Sequence, residues 1–352
     1  MSATPDSPSS EERIAYGGQA VMEGVMMRSR RRMAVAVRHP AGHIVVKAED
    51  IIPGRFVRVA RRVPVLRGVA VLWDVLALGM RTLAFSANVG LEEDRDVASE
   101  SDDSAEDAEA PSTNGATEAP AATASEETPE GGEGGTDVAV TGMLAFGLVF
   151  GIALFFVLPI FLTRLTDPLV DSDILSNLVE GLIRLAIFVS YLYLIGRLAD
   201  IRRTYEYHGA EHMTVNALER GQQLTVENVI RNSLSHPRCG TNFLLVIVVI
   251  SVIVFTFLGR PDLLLRVGSR IVLIPLVAGV AFEIIRALSA RVDNPIARVF
   301  LQPGLWLQKL TTRPPTADQV EVAIAAMSEV LKTETERTLV PYAALPILEY
   351  RT

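Results

Sequence analysis

Long uncharged runs stand out in the second half of the chain. Residues 138–163 run for 26 positions without a charge, and residues 241–259 add 19 more that are rich in Val, Ile, Leu and Phe. A helix needs about 20 apolar residues to cross ~30 Å of hydrocarbon, and a helix that is apolar all round has no face suited to water. Both runs therefore predict membrane-spanning helices.

Residues 177–198 form a third apolar segment with few charges. Glu180 and Arg184 lie one helical turn apart near its start, so the carboxylate and the guanidinium can pair with each other. Such a pair makes ionisable groups easier to accommodate in an apolar helix. We therefore expect a third spanning helix here.

Residues 263–290 form a fourth segment, in which charges cluster toward the two ends. Arg266 and Arg270 lie near the start, and Glu283 and Arg286 lie near the end. Long arginine side chains can extend along a helix to the membrane boundary, which leaves twelve uncharged residues in the middle. The pattern predicts a fourth span whose first two arginines reach toward one membrane face.

Residues 67–90 are apolar only in part. Arg67, Asp74 and Arg81 recur every seven residues and mark a polar stripe along a helix. Such a stripe is typical of a helix that lies in the membrane interface or enters and leaves on the same side. We predict an interfacial or re-entrant helix, with a complete fifth span as the alternative.

Basic residues near the spans set the expected orientation. Residues 13–67 contain twelve Lys and Arg, and residues 197–240 contain six. Lys and Arg are retained on the cytoplasmic side of membrane helices. The predicted topology therefore places both termini and the loop 199–240 in the cytoplasm, in a multi-pass protein of the cell inner (plasma) membrane.

Composition supports a membrane protein and isolates one unusual segment. The 352 residues are 49% apolar with a mean hydropathy of +0.30, which is too apolar for an ordinary soluble chain. The net charge of −8 comes from residues 91–137, which contain sixteen Asp and Glu against one Arg. Because this segment lacks aromatic residues, Ile and Met, it cannot bury enough apolar surface to become ordered. We predict a disordered acidic linker at 91–137, with a partner-binding tail as the alternative, and a disordered N-terminus at 1–13.

Smaller units are expected at both ends of the chain. Residues 14–66 form a basic cytoplasmic domain, in which residues 34–46 alternate apolar and polar positions around a turn, as is typical of a β-hairpin. This basic surface lacks interleaved aromatic residues, so anionic lipid headgroups are the expected partners and nucleic acid is not. Residues 313–352 are predicted to hold a cytoplasmic packing helix and a tail.

Three of the five histidines fall within 29 residues of the second basic region. His208, Glu211 and His212 match the pattern H-x-x-E-H, the inverse of the common zinc-protease order. On a helix these positions lie within about one hundred degrees of arc, so their side chains address one point. A helix is expected because Thr204 can cap its start and Gly221 can end it.

Two imidazoles one helical turn apart can chelate Zn²⁺ or another divalent transition metal, while Glu211 acts as general base. A catalytic zinc normally has three protein ligands, and the sequence leaves two choices for the third. Cys239 follows His236 by three residues in a turn just before the span at 241–259, and Glu283 lies near the inner end of the last span. The predicted metal residues are His208, His212, Cys239, Glu283 and His236, and the predicted catalytic residue is Glu211.

The same residues have simpler interpretations. His208 and His212 can form a solvated helix face, with Glu211 paired to a nearby arginine. A lone Cys239 is often a small buried hydrophobic residue, and Glu283 can be the ion-pair partner of an arginine on its own helix. The chief alternative to an enzyme is therefore a membrane scaffold or interaction protein whose histidine cluster is structural.

A run with three glycines among apolar residues occupies positions 16–28. Together with residues 208–212 and 236–241, it resembles the YqhQ-like family of bacterial membrane proteins, an uncharacterised family described as predicted metal-dependent enzymes. The resemblance extends over about residues 14–312 and implies a membrane fold with a metal site. Met213 stands where a lysine is expected in the family, so no role for that lysine carries over.

The expected fold class is mainly α: a polytopic α-helical membrane protein with about four transmembrane helices, an interfacial or re-entrant helix and a small N-terminal β-containing domain. The transmembrane domain is expected at 138–312. The function that these patterns favour is a metal-dependent, hydrolase-like enzyme with its site at the cytoplasmic membrane face. The substrate is not identifiable from these residues, and a protein partner or homo-oligomer is compatible with them.

Overall fold

The structure is a computed structural model that describes residues 16–52, 57, 60, 62–103, 142, 145–166, 170–259, 261–291 and 294–337. The described chain is mostly helical and has a small antiparallel sheet near its N-terminus, as predicted. The predicted disordered N-terminus, the acidic linker beyond residue 103 and the C-terminal tail beyond residue 337 lie outside the described residues.

Four strands form an antiparallel meander in chain order: β1 (Gly17–Val21), β2 (Gly24–Arg28), β3 (Arg32–Arg38) and β4 (Ile44–Asp50). The pairing of Arg38 with Ile44 joins β3 and β4, which confirms the predicted hairpin. The glycine-containing run at 16–28 forms a second hairpin, β1–β2, which was not predicted.

Helices make up most of the described chain after the sheet. In chain order they are α1 (Leu66–Asp103), α2 (Ala145–Arg164), α3 (Asp173–Ile195), α4 (Ala199–Glu219), α5 (Val226–Ile230), α6 (Gly240–Thr256), α7 (Leu263–Ser289), α8 (Pro295–Thr311) and α9 (Ala317–Arg337). Residues Ala153–Val157 within α2 are π-helical. Helix α1 continues through the first thirteen residues of the predicted acidic linker, because extending an existing helix is much easier than starting one.

The middle strands of the sheet are buried on both faces, since successive side chains in a strand point to opposite sides. The first face packs in one core with α4 and α9 through Val25, Met27, Ala34 and Ala36. The second face packs against α1 through Met26, Met33, Val35 and Val37. Burial on both faces explains why β2 and β3 read as continuous apolar runs.

Four helices in the described chain are long and apolar enough to cross a membrane: Leu66–Gly90, Ala145–Arg164, Asp173–Ile195 and Leu264–Ser289. The chain thus has the apolar helices of a membrane protein, and their number matches the prediction. The set differs, because the predicted span at 241–259 is the 17-residue α6 and the predicted interfacial region has the length of a span. Helix α1 packs on α7 near its start and on the sheet at Leu78 and Val89. Its contact with the sheet supports the interfacial placement, which stays a prediction.

Helix α8 was not predicted, although its start follows common capping rules. The side chain of Asn294 accepts a hydrogen bond from the N–H of Ile296 at 2.8 Å, and Pro295 occupies the first turn. One side of α8 packs on α3 and α6, where Leu307 enters their apolar core. Apolar side chains beside membrane helices indicate a lipid-facing surface. The exposed apolar side chains of α8 are Ile296, Val299, Phe300 and Trp306.

The first two arginines of α7 bind a carboxylate on a neighbouring helix, a contact that was not predicted. Arg266 and Arg270 are buried, and both donate hydrogen bonds to the carboxylate of Glu180. Glu180 also pairs with Arg184 at 2.7 Å, as predicted. A carboxylate inside an apolar helix bundle attracts nearby guanidiniums, because buried charges are costly unless they are paired.

Candidate metal centre

Helix α4 carries the histidine motif. It begins at Ala199, five residues before the predicted cap Thr204, whose hydroxyl instead donates to a backbone carbonyl one turn earlier at 3.0 Å. It ends just before Gly221, as predicted, and the φ of +68° at this glycine is typical of the residue after a helix.

Three of the predicted ligands meet at one point. The ring centroids of His208 and His212 are 4.4 Å apart, and His208 Nε2 lies 3.2 Å from Cys239 Sγ. The ligand atoms of the three residues all lie within 4.8 Å of one another. Two ligands of a tetrahedral zinc ion are about 3.5 Å apart, so small side-chain shifts bring all three within coordination distance.

The turn before α6 positions the cysteine. Cys239 is the N-cap residue of α6, and its sulfur accepts a hydrogen bond from the N–H of Thr241 at 3.4 Å. The side chain of Gln308 on α8 accepts from the N–H of His236 at 2.9 Å and donates to the carbonyl of His236 at 2.8 Å. Helix α8 therefore holds the backbone of the turn that brings Cys239 to the histidines.

Backbone carbonyls set the tautomer of both histidines. His208 Nδ1 is 2.8 Å from the carbonyl oxygen of Thr311, and His212 Nδ1 is 2.6 Å from that of Leu234. Because a carbonyl only accepts, each neutral ring carries its proton on Nδ1 and presents a lone pair on Nε2. Metal-binding histidines commonly have this arrangement. In the described structure His212 Nε2 is buried without a hydrogen-bond partner, and a metal ion would satisfy this acceptor.

Glu211 lies beside His208, His212 and Cys239, which together are called the ligand group below. Its Oε2 is 3.9 Å from His208 Nε2 and 3.7 Å from His212 Nε2, and the side chain is buried. Gly18 of β1 makes room for it, because a Cβ at this position would lie 2.8 Å from Glu211 Cγ and 2.4 Å from the backbone oxygen of Met26. The β1–β2 hairpin therefore covers the Glu211 side chain.

His236 is next to the ligand group and outside it. Its ring centroid is 5.9 Å from that of His212, while its Nε2 lies 3.4 Å from Glu219 Oε2. Burial lowers the pKa of His236 below its ordinary value, and the carboxylate of Glu211 opposes this shift. Glu219 also pairs with Arg238. These contacts place His236 between the ligand group and a charged pair.

The alternative third ligand, Glu283, does not lie with His208, His212 and Cys239 but pairs with Arg67. Its Oε1 accepts hydrogen bonds from Arg67 Nε at 2.5 Å and from the N–H of Val65 at 3.3 Å, and Arg67 also pairs with its other oxygen. The two-point pairing of a guanidinium with a carboxylate is a strong interaction. Both carboxylate oxygens therefore hold the start of α1 against α7.

A glycine inside the motif allows close backbone packing. A Cβ on Gly209 would lie 2.1 Å from the carbonyl oxygen of Arg313, and the N–H of Arg313 donates to the carbonyl of Tyr205 at 2.9 Å. The chain after α8 therefore runs directly along α4, which brings the Thr311 carbonyl to His208. Sequence reasoning missed both the glycine and the two carbonyl acceptors. A glycine within a helical motif is a recognisable signal, whereas backbone acceptors leave none.

The turn of the β1–β2 hairpin is anchored to α4 next to the motif. The hydroxyl of Tyr207 donates to Glu23 Oε2 at 3.2 Å, and Arg203 pairs with the same carboxylate. Burial raises the pKa of Tyr207, so its hydroxyl stays protonated and can donate. This contact fixes the hairpin over the site, because Glu23 binds α4 at Tyr207, which directly precedes His208.

A cavity of about 220 Å³ lies between the sheet and α1, away from the histidines. Its lining combines both signs of charge, through Arg28, Asp50, Asp74 and Arg81 among others. Because α1 and α4 pack on opposite faces of the sheet, this cavity and the histidine cluster are separate features.

Comparisons with known proteins give related chains. Residues 63–333 match a family described as protein of unknown function (DUF1385), and this region includes His208, His212 and Cys239. The chain is 33% identical to the uncharacterized protein YqhQ of Bacillus subtilis (strain 168) over 321 residues. The aligned region covers 91% of this chain and 93% of that protein. No solved structure matches.

Proposed function

The chain belongs to the DUF1385 family of proteins of unknown function, and we propose that it is a metal-dependent hydrolase with its site at the cytoplasmic membrane face. The observation that carries this proposal is the convergence of His208, His212 and Cys239, whose ligand atoms lie within 4.8 Å of one another. Three protein ligands with one open position are typical of catalytic zinc, whereas structural zinc sites usually have four.

The residues present fit a borderline-soft divalent metal. Imidazole and thiolate are the ligands that zinc prefers, and both imidazoles present unprotonated Nε2 atoms. Cys239 would bind as the thiolate. A zinc ion held here would acidify a water molecule and polarise the bond to be hydrolysed.

Glu211 is the group placed to move the proton. Its carboxylate, within 4 Å of both Nε2 atoms, takes a proton from the attacking water and delivers it to the leaving group. In the overall reaction, water is added across an ester, amide or phosphoester bond, so that one product gains the hydroxyl and the other the proton. The hairpin at Gly18 limits access of bulk water to this carboxylate.

The surroundings favour a substrate that is presented at a membrane surface. The proposed ligand Cys239 caps α6, which carries no charge along its whole length, and neighbouring α8 exposes Phe300 and Trp306. The six Lys and Arg of residues 197–240 favour a cytoplasmic position for the site, in the cell inner membrane. Fusing the C-terminus to green fluorescent protein and, separately, to alkaline phosphatase tests this orientation. Fluorescence without phosphatase activity is expected, and the reverse pattern would contradict a cytoplasmic C-terminus.

Metal analysis of the full chain purified in detergent tests the site directly. We expect about one zinc ion per chain, as for a mononuclear catalytic site, and loss of that zinc in His208→Ala. Cys239→Ser is the sharper variant, because serine is a good N-cap and preserves the start of α6. Because Cys239 is a proposed direct ligand, zinc affinity should fall by more than the roughly 10- to 100-fold that loss of an outer-shell partner costs, with the fold intact. Wild-type zinc content in both variants would refute the assigned ligands.

Glu211→Gln separates catalysis from metal binding. This variant should retain zinc and lose hydrolysis of the probe esters p-nitrophenyl acetate and p-nitrophenyl phosphate by roughly 100-fold or more. Glu227→Gln is the matched control, because Glu227 is exposed and pairs with Arg231 one turn away. Unchanged hydrolysis in Glu211→Gln would exclude the proposed base.

A second candidate function is a membrane scaffold in which the metal serves folding alone. It is favoured by the burial of the ligands, since His212 is 1% exposed and Cys239 8%. The scaffold function predicts that a chelator unfolds the protein. It also predicts that Glu211→Gln changes neither hydrolysis of the probe esters nor partner binding. Full retention of the fold after metal removal would exclude it.

A further inference from the structure

A second buried charge cluster lies in the helix bundle, and its residues come from α3 and α7. Glu180, Arg184, Arg266 and Arg270 are each at most 4% exposed. Phe255, near the end of α6, has its ring centroid 4.8 Å from Arg270 Cζ and 5.3 Å from Arg184 Cζ. The histidine cluster lies at the beginning of α6, so ~24 Å of helix rise separates the two sites.

Glu180 accepts hydrogen bonds from all three guanidiniums. The distances from its oxygens are 2.7 Å to Arg184, 2.8 and 3.0 Å to Arg270, and 2.5 and 3.1 Å to Arg266. Arg184 Nε also donates to the carbonyl of Phe155 at 3.0 Å, in the π-helical part of α2. Within the described chain, one carboxylate therefore faces three guanidiniums, which leaves two positive charges in excess.

Arg270 has more hydrogen-bond donors than the acceptors that the described residues place around it. The residue is fully buried, and its Nε and Nη2 atoms bond to Glu180, with Asn177 Oδ1 3.3 Å from Nη2. Its Nη1 atom is buried without a hydrogen-bond partner among the described residues. A buried donor without an acceptor is destabilising, and excess buried charge is more so. The oxygen of an anion would satisfy this unpaired donor and reduce the excess positive charge.

We propose that Arg184, Arg266 and Arg270 bind a phosphate-class anion, either inorganic phosphate or the phosphate of a lipid headgroup. Guanidiniums pair with phosphate oxygens through two parallel hydrogen bonds and keep their charge at every physiological pH. Arg270 Nη1 donates to one phosphate oxygen, while Glu180 holds the three guanidiniums together. This site does not depend on the proposed metal centre, because the two clusters share no residue.

Unfolding of the full chain in a maltoside detergent tests the proposal. The unfolding midpoint is followed during titration with sodium phosphate against sodium chloride at equal ionic strength. A parallel titration compares micelles that contain phosphatidylglycerol with micelles that contain a phosphate-free diglucosyl diacylglycerol. A rise with phosphate alone identifies the free anion, and a rise with phosphatidylglycerol alone identifies the headgroup. No rise with either, or an equal rise with chloride, would overturn the proposal.

Arg270→Gln removes the donor that lacks a partner, so the concentration of anion for half-maximal stabilisation should rise roughly 10- to 100-fold. Arg231→Gln, at an exposed pair, is the control and should respond as the wild type does. Because loss of a buried arginine can also unfold the chain, native mass spectrometry of the wild type is the second readout. Retention of one phosphate-containing molecule supports the site. The absence of any such molecule, or an undiminished response in Arg270→Gln, contradicts it.

Discussion

The two buried clusters near opposite ends of α6 lack opposite kinds of partner. At the histidine end, His208 and His212 present lone pairs beside the sulfur of Cys239, and the lone pair of His212 has no donor among the described residues. At the other end, Arg270 presents an N–H without an acceptor in the part of the chain that the structure describes, and three guanidiniums share Glu180. The inventory of donors and acceptors in a buried cluster thus gives the sign of the charge that would complete it.

The clusters also differ in how they are held. Backbone carbonyls fix both histidine rings, and the β1–β2 hairpin covers Glu211. The guanidiniums are held mainly by a single side chain, Glu180, together with the ring of Phe255. We therefore expect the arginine cluster to depend on one residue and the histidine cluster to depend on its surroundings.

The largest effect should follow removal of the carboxylate from the arginine cluster. Glu180→Gln leaves three buried guanidiniums without a counter-charge, which should lower the free energy of unfolding by about 3–5 kcal/mol. Chemical unfolding in detergent, compared with Glu227→Gln at an exposed ion pair, measures the difference. The control should change by about 0.5 kcal/mol or less. Equal stability of the two variants would break the comparison, because the cluster would then not rely on Glu180.

Zinc should act on the histidine cluster alone. A ligand present at 100 times its Kd stabilises the folded state by about 2.7 kcal/mol, so zinc should raise the unfolding midpoint of the wild type. Arg270→Gln should show the same zinc-dependent gain, and His212→Ala should show none. The measurement is the midpoint with zinc and with a chelator in each protein. A zinc response in His212→Ala equal to that of the wild type would contradict the assigned ligands.

Gly209→Ala tests the support of the histidine cluster. The added Cβ would meet the Arg313 carbonyl at 2.1 Å, so the backbone must move and stability should fall by about 1–3 kcal/mol. The Thr311 carbonyl would shift with it, and zinc affinity should fall as well. Gly90→Ala on α1, where a Cβ meets nothing within 4 Å, is the control. If Gly209→Ala bound zinc as the wild type does, the carbonyl contact would be irrelevant to the site.

The smallest change in stability is expected at Glu329, whose ion pairs are partly exposed to solvent. It gives a reference for the larger changes expected at the buried clusters. Burial raises the pKa of Glu329, but hydrogen bonds and charge interactions with Lys332 and Arg32 outweigh this, so its pKa is lowered overall. A lowered pKa means that the unfolded chain binds this proton more readily. The resulting stability is therefore present above the ordinary pKa of 4.5 and is lost as the pH falls below it.

Glu329→Gln should remove this part of the pH dependence and change stability at pH 7 by less than about 1 kcal/mol. Unfolding midpoints between pH 3 and pH 7 for the wild type and the variant measure it. Parallel pH profiles in the two proteins would show that Arg32 and Lys332 contribute nothing to the ionised form.

The histidine motif was predictable because it is local. The spacing of His208, Glu211 and His212 fixes their common face on any helix, whatever packs around it. The third proposed ligand was not predictable in the same way, since the span pattern placed Cys239 and Glu283 equally well. Only the approach of Arg67 on α1, far away in sequence, occupies Glu283 and leaves Cys239 with the histidines.

Long-range packing also explains the other differences from prediction. Arg266 and Arg270 were expected to extend toward a membrane boundary, but the carboxylate that binds them belongs to α3, and the pattern of α7 alone does not indicate this contact. The β1–β2 hairpin was missed because burial on both faces removes the alternation that identifies a strand. The β3–β4 hairpin was predicted correctly because β4 is only partly buried and a clear turn separates it from β3.

The sheet is completed by a helix from the far end of the chain. Arg32 on β3 reaches Glu329 on α9 across 297 residues of sequence, and Arg38 bonds to the Asp318 carbonyl at 2.7 Å. During translation the strands leave the ribosome first, and all the long apolar helices are synthesised before α9. A nascent or prematurely terminated chain therefore leaves one apolar face of the sheet uncovered, where it is open to chaperones and proteases.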